Sequence, residues 1–368
     1  MAATTAGTAA SSARGAARRS GGFHRLTVSD VERLCDDAVA VSFAVPAELR
    51  DAYSFRAGQS LTLRRTIEGR EERRSYSICA AVGEAPRIGV REIPAGLFSS
   101  WLVHDVRPGT AIEVQTPTGA WHADPSLGER HLCIAAGSGI TPLLSVATTV
   151  LTNPAAHVSL LYGNRTSRTV MFADELGDLK NRYGPRFQVA HVLSREPRDV
   201  ELFSGRLDRD RLRRILTDVV PVETYDHVWL CGPLALVEDA RAVLAECGVP
   251  PRSVHVELFY VDAPPPRPRR TTDAVGVTTA LTTVLDGLRT TAAVPRGTSI
   301  LEGAQTTRGD LPFACKGGVC GTCRARVREG ETDMRRNYAL EPAEVAAGFV
   351  LTCQTFPVSA AVTADFDA

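Results

Sequence analysis

Net charge is missing: lysine plus arginine equals aspartate plus glutamate, at 42 each in 368 residues. No bulk field therefore draws the chain onto nucleic acid or an anionic membrane surface. Lysine is nearly absent, since Lys180 and Lys316 are the two and every other base is arginine. Such a skew follows coding bias, so one arginine in a suggestive place carries little weight. No run approaches the roughly 20 apolar residues of a membrane span. An even, closely spaced cysteine framework is also lacking. Of nine cysteines, Cys35, Cys79, Cys133, Cys231 and Cys247 stand singly, which argues against a small disulfide-stapled secreted protein. No signal peptide is expected ahead of the fold. Residues 1–22, rich in Ala, Ser, Thr and Gly and free of acids, read as a disordered tail. The expected compartment is a reducing cytoplasm.

What is present falls into three textures. Residues 23–127 hold strand-length segments (His24–Val31, Val39–Val45, Ser60–Arg65, Arg73–Ala80, Arg87–Ile93 and Ala111–Gln115) punctuated by Gly, Pro and Asp. They predict a small antiparallel β-barrel. In residues 128–259 strands alternate with helix-length stretches. Strands are expected at 131–136, 157–162, 187–193, 227–231 and 254–258, and helices at 170–183, 208–216 and 234–247. That alternation predicts an α/β domain with a parallel sheet covered on both faces. Residues 260–272 contain a Pro-rich stretch, Ala263 to Pro268, that acts as a spacer. Residues 273–368 predict a small α+β module, with a hairpin over 275–294, a short helix at 298–305, and strands at 324–328 and 359–365.

Cys315, Cys320 and Cys323 have the spacing C-x4-C-x2-C, and Cys353 follows 29 residues later. This is the plant-type [2Fe–2S] arrangement. A structural zinc site would use two CxxC pairs, whereas this region has one, with no histidine between Cys315 and Cys353. Gly317, Gly318 and Gly321 are expected to give the loop left-handed positions and close backbone approach to sulfur.

Arg74, Tyr76 and Ser77 lie on a predicted barrel strand, and Gly96 to Ser99 form a turn into a helix. A cation, a stacking ring and hydroxyls near free N–H groups suit a flavin dinucleotide. Gly137, Gly139, Thr141 and Pro142 follow a buried strand and open a helix, so phosphates can approach the backbone there, although Pro142 replaces the third glycine of the full dinucleotide fingerprint. The acid that would bind a ribose hydroxyl about 20 residues on is missing, and Asn164 and Arg165 stand there instead. Arg165, Ser194, Arg195 and Arg206 can therefore receive a 2′-phosphate, which predicts NADPH over NADH. Cys231, Gly232 and Pro233 end a strand at the carboxyl edge, beside the expected nicotinamide. Cys79 and Cys133 read as buried strand cysteines.

Taken together, these residues resemble the ferredoxin–NADP reductase superfamily fused to a C-terminal plant-type ferredoxin, over residues 23 to 368. Arg74, Tyr76 and Ser77 fall on its flavin motif, and Gly96 and Ser99 on its pyrophosphate turn. Gly137, Gly139, Thr141 and Pro142 fall on its nucleotide loop, and Cys231 to Pro233 on its nicotinamide-side motif. The resemblance implies a β-grasp third module, with FAD, NADPH and a [2Fe–2S] cluster as cofactors. It also puts Tyr76, Ser77 and Cys231 at the reacting end. Leu132–Pro142, Leu161–Ser167, Leu311–Cys323 and Asn337–Gln354 are similar almost residue for residue to reductase subunits of bacterial di-iron oxygenases that oxidise an aromatic CoA thioester. The tail and the Ser194–Arg195 pair depart from that subfamily. The implied route runs from nicotinamide to flavin to cluster to oxygenase, with no nucleic-acid or membrane partner. This chain has no Glu-x-x-His iron set, so oxygen activation belongs to the partner. Two alternatives stay open: a reductase for a ring dioxygenase or steroid hydroxylase, and a non-catalytic electron-carrier subunit. Residues 316–336 carry six bases against three acids, which predicts an acidic docking partner.

Overall fold

Apolar side chains at alternate positions turn the first hundred residues into strands with one face inward. The computed structural model describes residues 22–94, 96–119, 121–123, 126, 128–259 and 278–368. The expected tail up to residue 21, the spacer 260–272 and the first residues of the third module lie outside the described residues. Strands β1 (Phe23–Cys35), β2 (Ala38–Ala44), β3 (Ser60–Ile67), β4 (Arg70–Ser77), β5 (Arg87–Arg91) and β6 (Ala111–Gln115) form an antiparallel sheet of order β4-β3-β6-β1-β2-β5. Just beyond β4, Ile78 bridges to Ile88 of β5 and joins the two ends of that order into a barrel. Register shifts at Val28/Asp30 and Arg33/Cys35 bend the long β1. Leu26, Val41, Phe43, Leu61, Leu63 and Ile88 fill the interior, and helix α1 (Ser99–His104) closes one end.

The second module carries five parallel strands: β7 (Arg130–Ala136), β8 (His157–Asn164), β9 (Phe187–Leu193), β10 (His227–Cys231) and β11 (Val254–Glu257), in the order β11-β10-β7-β8-β9. Their helices are α2 (Ile140–Val150), α3 (Ala173–Tyr183), α4 (Arg209–Asp218) and α5 (Leu234–Glu246). Asp208 caps α4 by accepting the Arg211 N–H at 3.0 Å. Both sheet faces are covered, as near-continuous apolar strands require. Leu212, Ile215, Leu216 and Leu244 of α4 and α5 pack on one face. On the other, Leu143, Leu144 and Leu176 of α2 and α3 share a cluster with barrel residues Ala38, Ala40, Ala57 and Cys79. Trp121 meets Trp229 edge-on there, 5.3 Å between ring centres. Barrel and sheet thus share one core, which the separate textures of the two segments do not predict. Cys79 and Cys133 are buried in it.

The third module joins β12 (Thr278–Leu285), β13 (Leu288–Pro295), α6 (Ile300–Gln305), β14 (Arg324–Glu329), β15 (Thr332–Met334), α7 (Pro342–Ala346), β16 (Phe349–Leu351), β17 (Thr355–Pro357) and β18 (Ala361–Asp365). Its main sheet runs β13-β12-β18-β14-β16, with α6 packed against it. The short β15–β17 pair and α7 escape prediction because each spans five residues or fewer. Among the described residues, no helix is long and apolar enough to cross a membrane.

Candidate functional site

Three strand ends from two modules meet where the barrel touches the parallel sheet. Ser77 ends β4, Cys231 ends β10 and Glu257 ends β11, with Cys231 in register with both Ala135 and Glu257. The Ser77 hydroxyl lies 3.2 Å from each oxygen of the Glu257 carboxylate and donates to it. Glu257 keeps part of its surface open, yet protein surrounds the carboxylate, and the loss of water pushes its pKa up to about 8 against the pull of the Ser77 hydrogen bond. The Cys231 thiol is fully buried, and burial, with the Glu257 charge beside it, pushes it well above the ordinary thiol range. The Gly-rich turn closes on this point. A methyl group on Gly139 would overlap the Cys231 carbonyl, so only glycine fits. Gly137 is left-handed at φ +57°, and its carbonyl accepts from the Tyr162 hydroxyl at 2.9 Å. The Thr141 hydroxyl donates to the Ser138 carbonyl at 3.0 Å. Pro142 is buried in α2, while Pro233 precedes α5. A methyl on Gly232 would press Ala136 at 3.3 Å, so the two motifs pack backbone to backbone. This cradle fits a nicotinamide dinucleotide: backbone and small residues line it, at the carboxyl edge of a parallel sheet.

On β4, alternation sends Arg74 and Tyr76 to one face and Ser77 to the other. Tyr76 is half-buried with the Phe98 ring centre 6.3 Å away, and burial pushes its phenol upward. Arg74 bonds Glu72 at 2.9 Å and the Arg73 carbonyl at 2.7 Å. The turn at Gly96 has no room for a side chain, since a methyl there would lie 2.8 Å from the Ile93 carbonyl. The Ser99 hydroxyl accepts the Ile93 N–H at 3.0 Å. Ser99 thus braces the turn as an acceptor, and its own O–H is left to donate to a phosphate. These residues fit a flavin, which Arg74, Tyr76 and Ser77 on β4 would hold.

At the outer end of the cleft, groups expected to meet the nucleotide have partners within the chain. Arg165 does not stand free for a 2′-phosphate: it pairs with Asp37 of the barrel, which also holds Arg91 at 3.2 Å. Burial works against the Asp37 charge, but Arg91 and Arg165 outweigh it and hold the carboxyl below its usual range. The end of β8 carries no acid of its own, but one reaches it from the segment after β9. Glu196 accepts the Ser167 N–H at 2.8 Å and its hydroxyl at 2.9 Å, and these bonds hold it ionised. Neither acid carries a sequence signal, because Glu196 follows β9 and Asp37 sits in the β1–β2 turn. Ser194 donates its N–H to Asn164 at 2.9 Å and Arg195 to Arg165 at 2.8 Å. Arg195 and Arg206 are exposed.

In the third module the four cysteines come in twos. Cys315 lies against Cys320 and Cys323 against Cys353, while no three metal-binding side chains among the described residues converge on one point. Two thiols per position fit a two-iron cluster better than one tetrahedral zinc. Hydrogen bonds from the Cys320 side chain and from the Gly317, Val319 and Cys320 N–H groups outweigh burial and pull Cys315 below the ordinary thiol range. The left-handed residues of the loop are Lys316, Gly318 and Gly321, not Gly317. Gly317 instead points its N–H at the Cys315 sulfur, 3.3 Å away. The Thr352 hydroxyl donates to the Cys323 carbonyl at 2.8 Å, and the Gln354 amide to the Lys316 carbonyl at 2.8 Å, so both neighbours of Cys353 tie it to the loop. Three of the six bases in 316–336 are paired within the chain: Arg324 with Glu344 at 2.7 Å, Arg328 with Asp365 at 2.9 Å and Arg335 with Asp333 at 3.6 Å.

Family models match in the same order along the chain: an oxidoreductase FAD-binding domain over residues 25–123, an oxidoreductase NAD-binding domain over 133–242, and a 2Fe-2S iron-sulfur cluster binding domain over 283–358. The chain is 42% identical to one of the subunits of the 1,2-phenylacetyl-CoA epoxidase of Escherichia coli K12, over 94% of this chain and 98% of that one. It is 33% identical to the ferredoxin reductase component of the 3-ketosteroid-9-alpha-monooxygenase of Rhodococcus rhodochrous, over 91% and 94%. Phthalate dioxygenase reductase, a solved modular structure for electron transfer from pyridine nucleotides to [2Fe–2S], shares its fold, with a TM-score of 0.59, 24% identity and coverage of 94% and 98%.

Proposed function

Because the chain belongs to the family of NAD(P)H-dependent oxygenase reductases that join FAD-binding, NAD-binding and [2Fe–2S] modules in one polypeptide, we propose that it supplies electrons to the di-iron oxygenase of a phenylacetyl-CoA epoxidase in the cytoplasm. When bound, the flavin accepts two electrons as hydride from the nicotinamide, and the cluster takes them on one at a time. The observation that carries the reading is the meeting of Ser77, Glu257, Cys231 and Gly139 at one seam. Gly137 and Gly139 would give a pyrophosphate access to the backbone, and the Cys231–Gly232 turn would lie beside the nicotinamide. Ser77 and Glu257 keep a hydroxyl and a carboxyl of raised pKa at the end of β4, where a proton can be held at the Glu257 oxygen. Tyr76 and Arg74, on the other face of β4, would help to hold the flavin. Cys315, Cys320, Cys323 and Cys353 would hold the cluster, which supplies one-electron transfer.

Identity over nearly the whole of both chains supports phenylacetyl-CoA as the final substrate of the partner, ahead of a ketosteroid. NADPH rests on Ser194, Arg195 and Arg206 alone, now that Arg165 pairs with Asp37 and Glu196 lies close by. Reconstitution tests the pathway. Mixed with the epoxidase oxygenase subunits, NADPH and O₂, the protein should support oxidation of phenylacetyl-CoA. Support of a ketosteroid hydroxylase but not of the epoxidase would reject this partner.

A further inference from the structure

Arg73 is the neighbour of the flavin-motif arginine, and it points the other way. It is 4% exposed, although most arginines of this chain sit at the surface. Its Nη1 donates to the carbonyl of Leu311 at 3.2 Å. Its guanidinium stands 4.4 Å from the ring centre of Phe313 and 5.1 Å from that of Phe23, and Glu71 balances its charge at 2.5 Å. Leu311 and Phe313 are buried members of the third module's core. Two residues after Phe313 comes Cys315, and the Lys316 ammonium lies 4.7 Å from the same ring.

Burying a guanidinium is costly unless its charge and its donors are matched. Here a carboxylate and a ring come from the barrel, and a carbonyl and a second ring come from the cluster module. The planar, always-charged guanidinium can stack and donate at once, which lysine cannot do. Partners drawn from two modules make Arg73 a fastener between them. Resting on the reading that this chain relays electrons from flavin to cluster, we propose that Arg73 is a positioning residue that docks the cluster loop against the flavin strand β4. The step it holds in place is a one-electron transfer. One electron leaves the flavin side, one arrives at the cluster, no bond forms or breaks, and the second follows after the first has passed to the oxygenase.

The test uses the full chain loaded with FAD and cluster. In Arg73→Leu, nucleotide-driven bleaching of the flavin should keep its rate, while cluster reduction should slow by about tenfold, the effect of losing one charged hydrogen bond. Backbone amides of residues 311–316 should exchange hydrogen faster. Phe313→Leu, which removes the ring from the other side of the contact, should reproduce both effects, and Arg73→Lys should fall between. Unchanged cluster reduction and unchanged exchange would overturn the proposal, as would equal slowing of flavin and cluster. If the unmodified protein reduces neither cofactor, the electron-relay reading fails, and exchange at 311–316 still decides whether Arg73 docks the loop.

Discussion

Ser77, Cys231 and Glu257 meet at the ends of three strands, whereas Ser194, Arg195 and Arg206 lie on connections beyond the sheet. At the first place the partners are neutral or desolvated and locked by sheet register: a hydroxyl on a carboxyl, a buried thiol, a glycine pressed on a carbonyl. At the second, arginines and acids compete in water, and Arg165 pairs with Asp37 while Glu196 bridges to Ser167. Interactions gain strength where water is excluded and are screened where it is not. On the proposed reading, rigid elements set the chemistry at the inner end, and discrimination between nucleotides falls to groups that exchange partners cheaply.

Stability against pH puts the inner end under the largest strain. The Glu257 carboxyl moves from an ordinary 4.5 to about 8 on folding, so the folded chain binds the extra proton between those values. Stability should fall as pH rises from about 5 to about 8 and then level, by an amount on the order of a few kcal/mol. Glu257→Gln should flatten that slope in denaturant melts at several pH values. An identical slope in the variant would return Glu257 to the class of ordinary surface acids. Kinetics sharpen the contrast next. In Glu257→Gln the flavin should be reduced roughly ten- to a hundredfold more slowly, the usual range for a displaced proton-holding or positioning group, with the KM for nucleotide nearly constant. The smallest effect belongs to the outer end. Arg195→Ala should raise the NADPH KM by about tenfold, one charge-assisted hydrogen bond, and leave the NADH KM alone. An equal rise for both nucleotides would show that Arg195 does not read the 2′-phosphate.

The [2Fe–2S] module and the strand-to-helix turn at Gly137 were legible because both depend on neighbours in sequence: four thiols in a fixed pattern, and glycines between a buried strand and a helix. The parallel sheet of the second module followed from the alternation of strands and helices. Glu257 was not legible, since an acid at the end of a strand looks solvated until the barrel covers it. Arg73 and Arg74 are indistinguishable in sequence, and pleating alone decides which turns inward. Arg165 and Asp37 are 128 residues apart, and only the shared core of barrel and sheet brings them together. The arginine-rich stretch 316–336 suggested a free basic patch, but its acids come from residues 333, 344 and 365, two of them outside that stretch.

The order of reduction tests the electron relay most directly. On anaerobic mixing with NADPH, and separately with NADH, the intact protein should lose flavin absorbance first and cluster absorbance second. Cys353→Ser, which removes a thiol that pairs with Cys323, should lose the cluster and its one-electron output to the oxygenase while bleaching its flavin at the original rate. Cluster reduction that precedes the flavin's, or a Cys353→Ser protein that still feeds the oxygenase, would contradict the account.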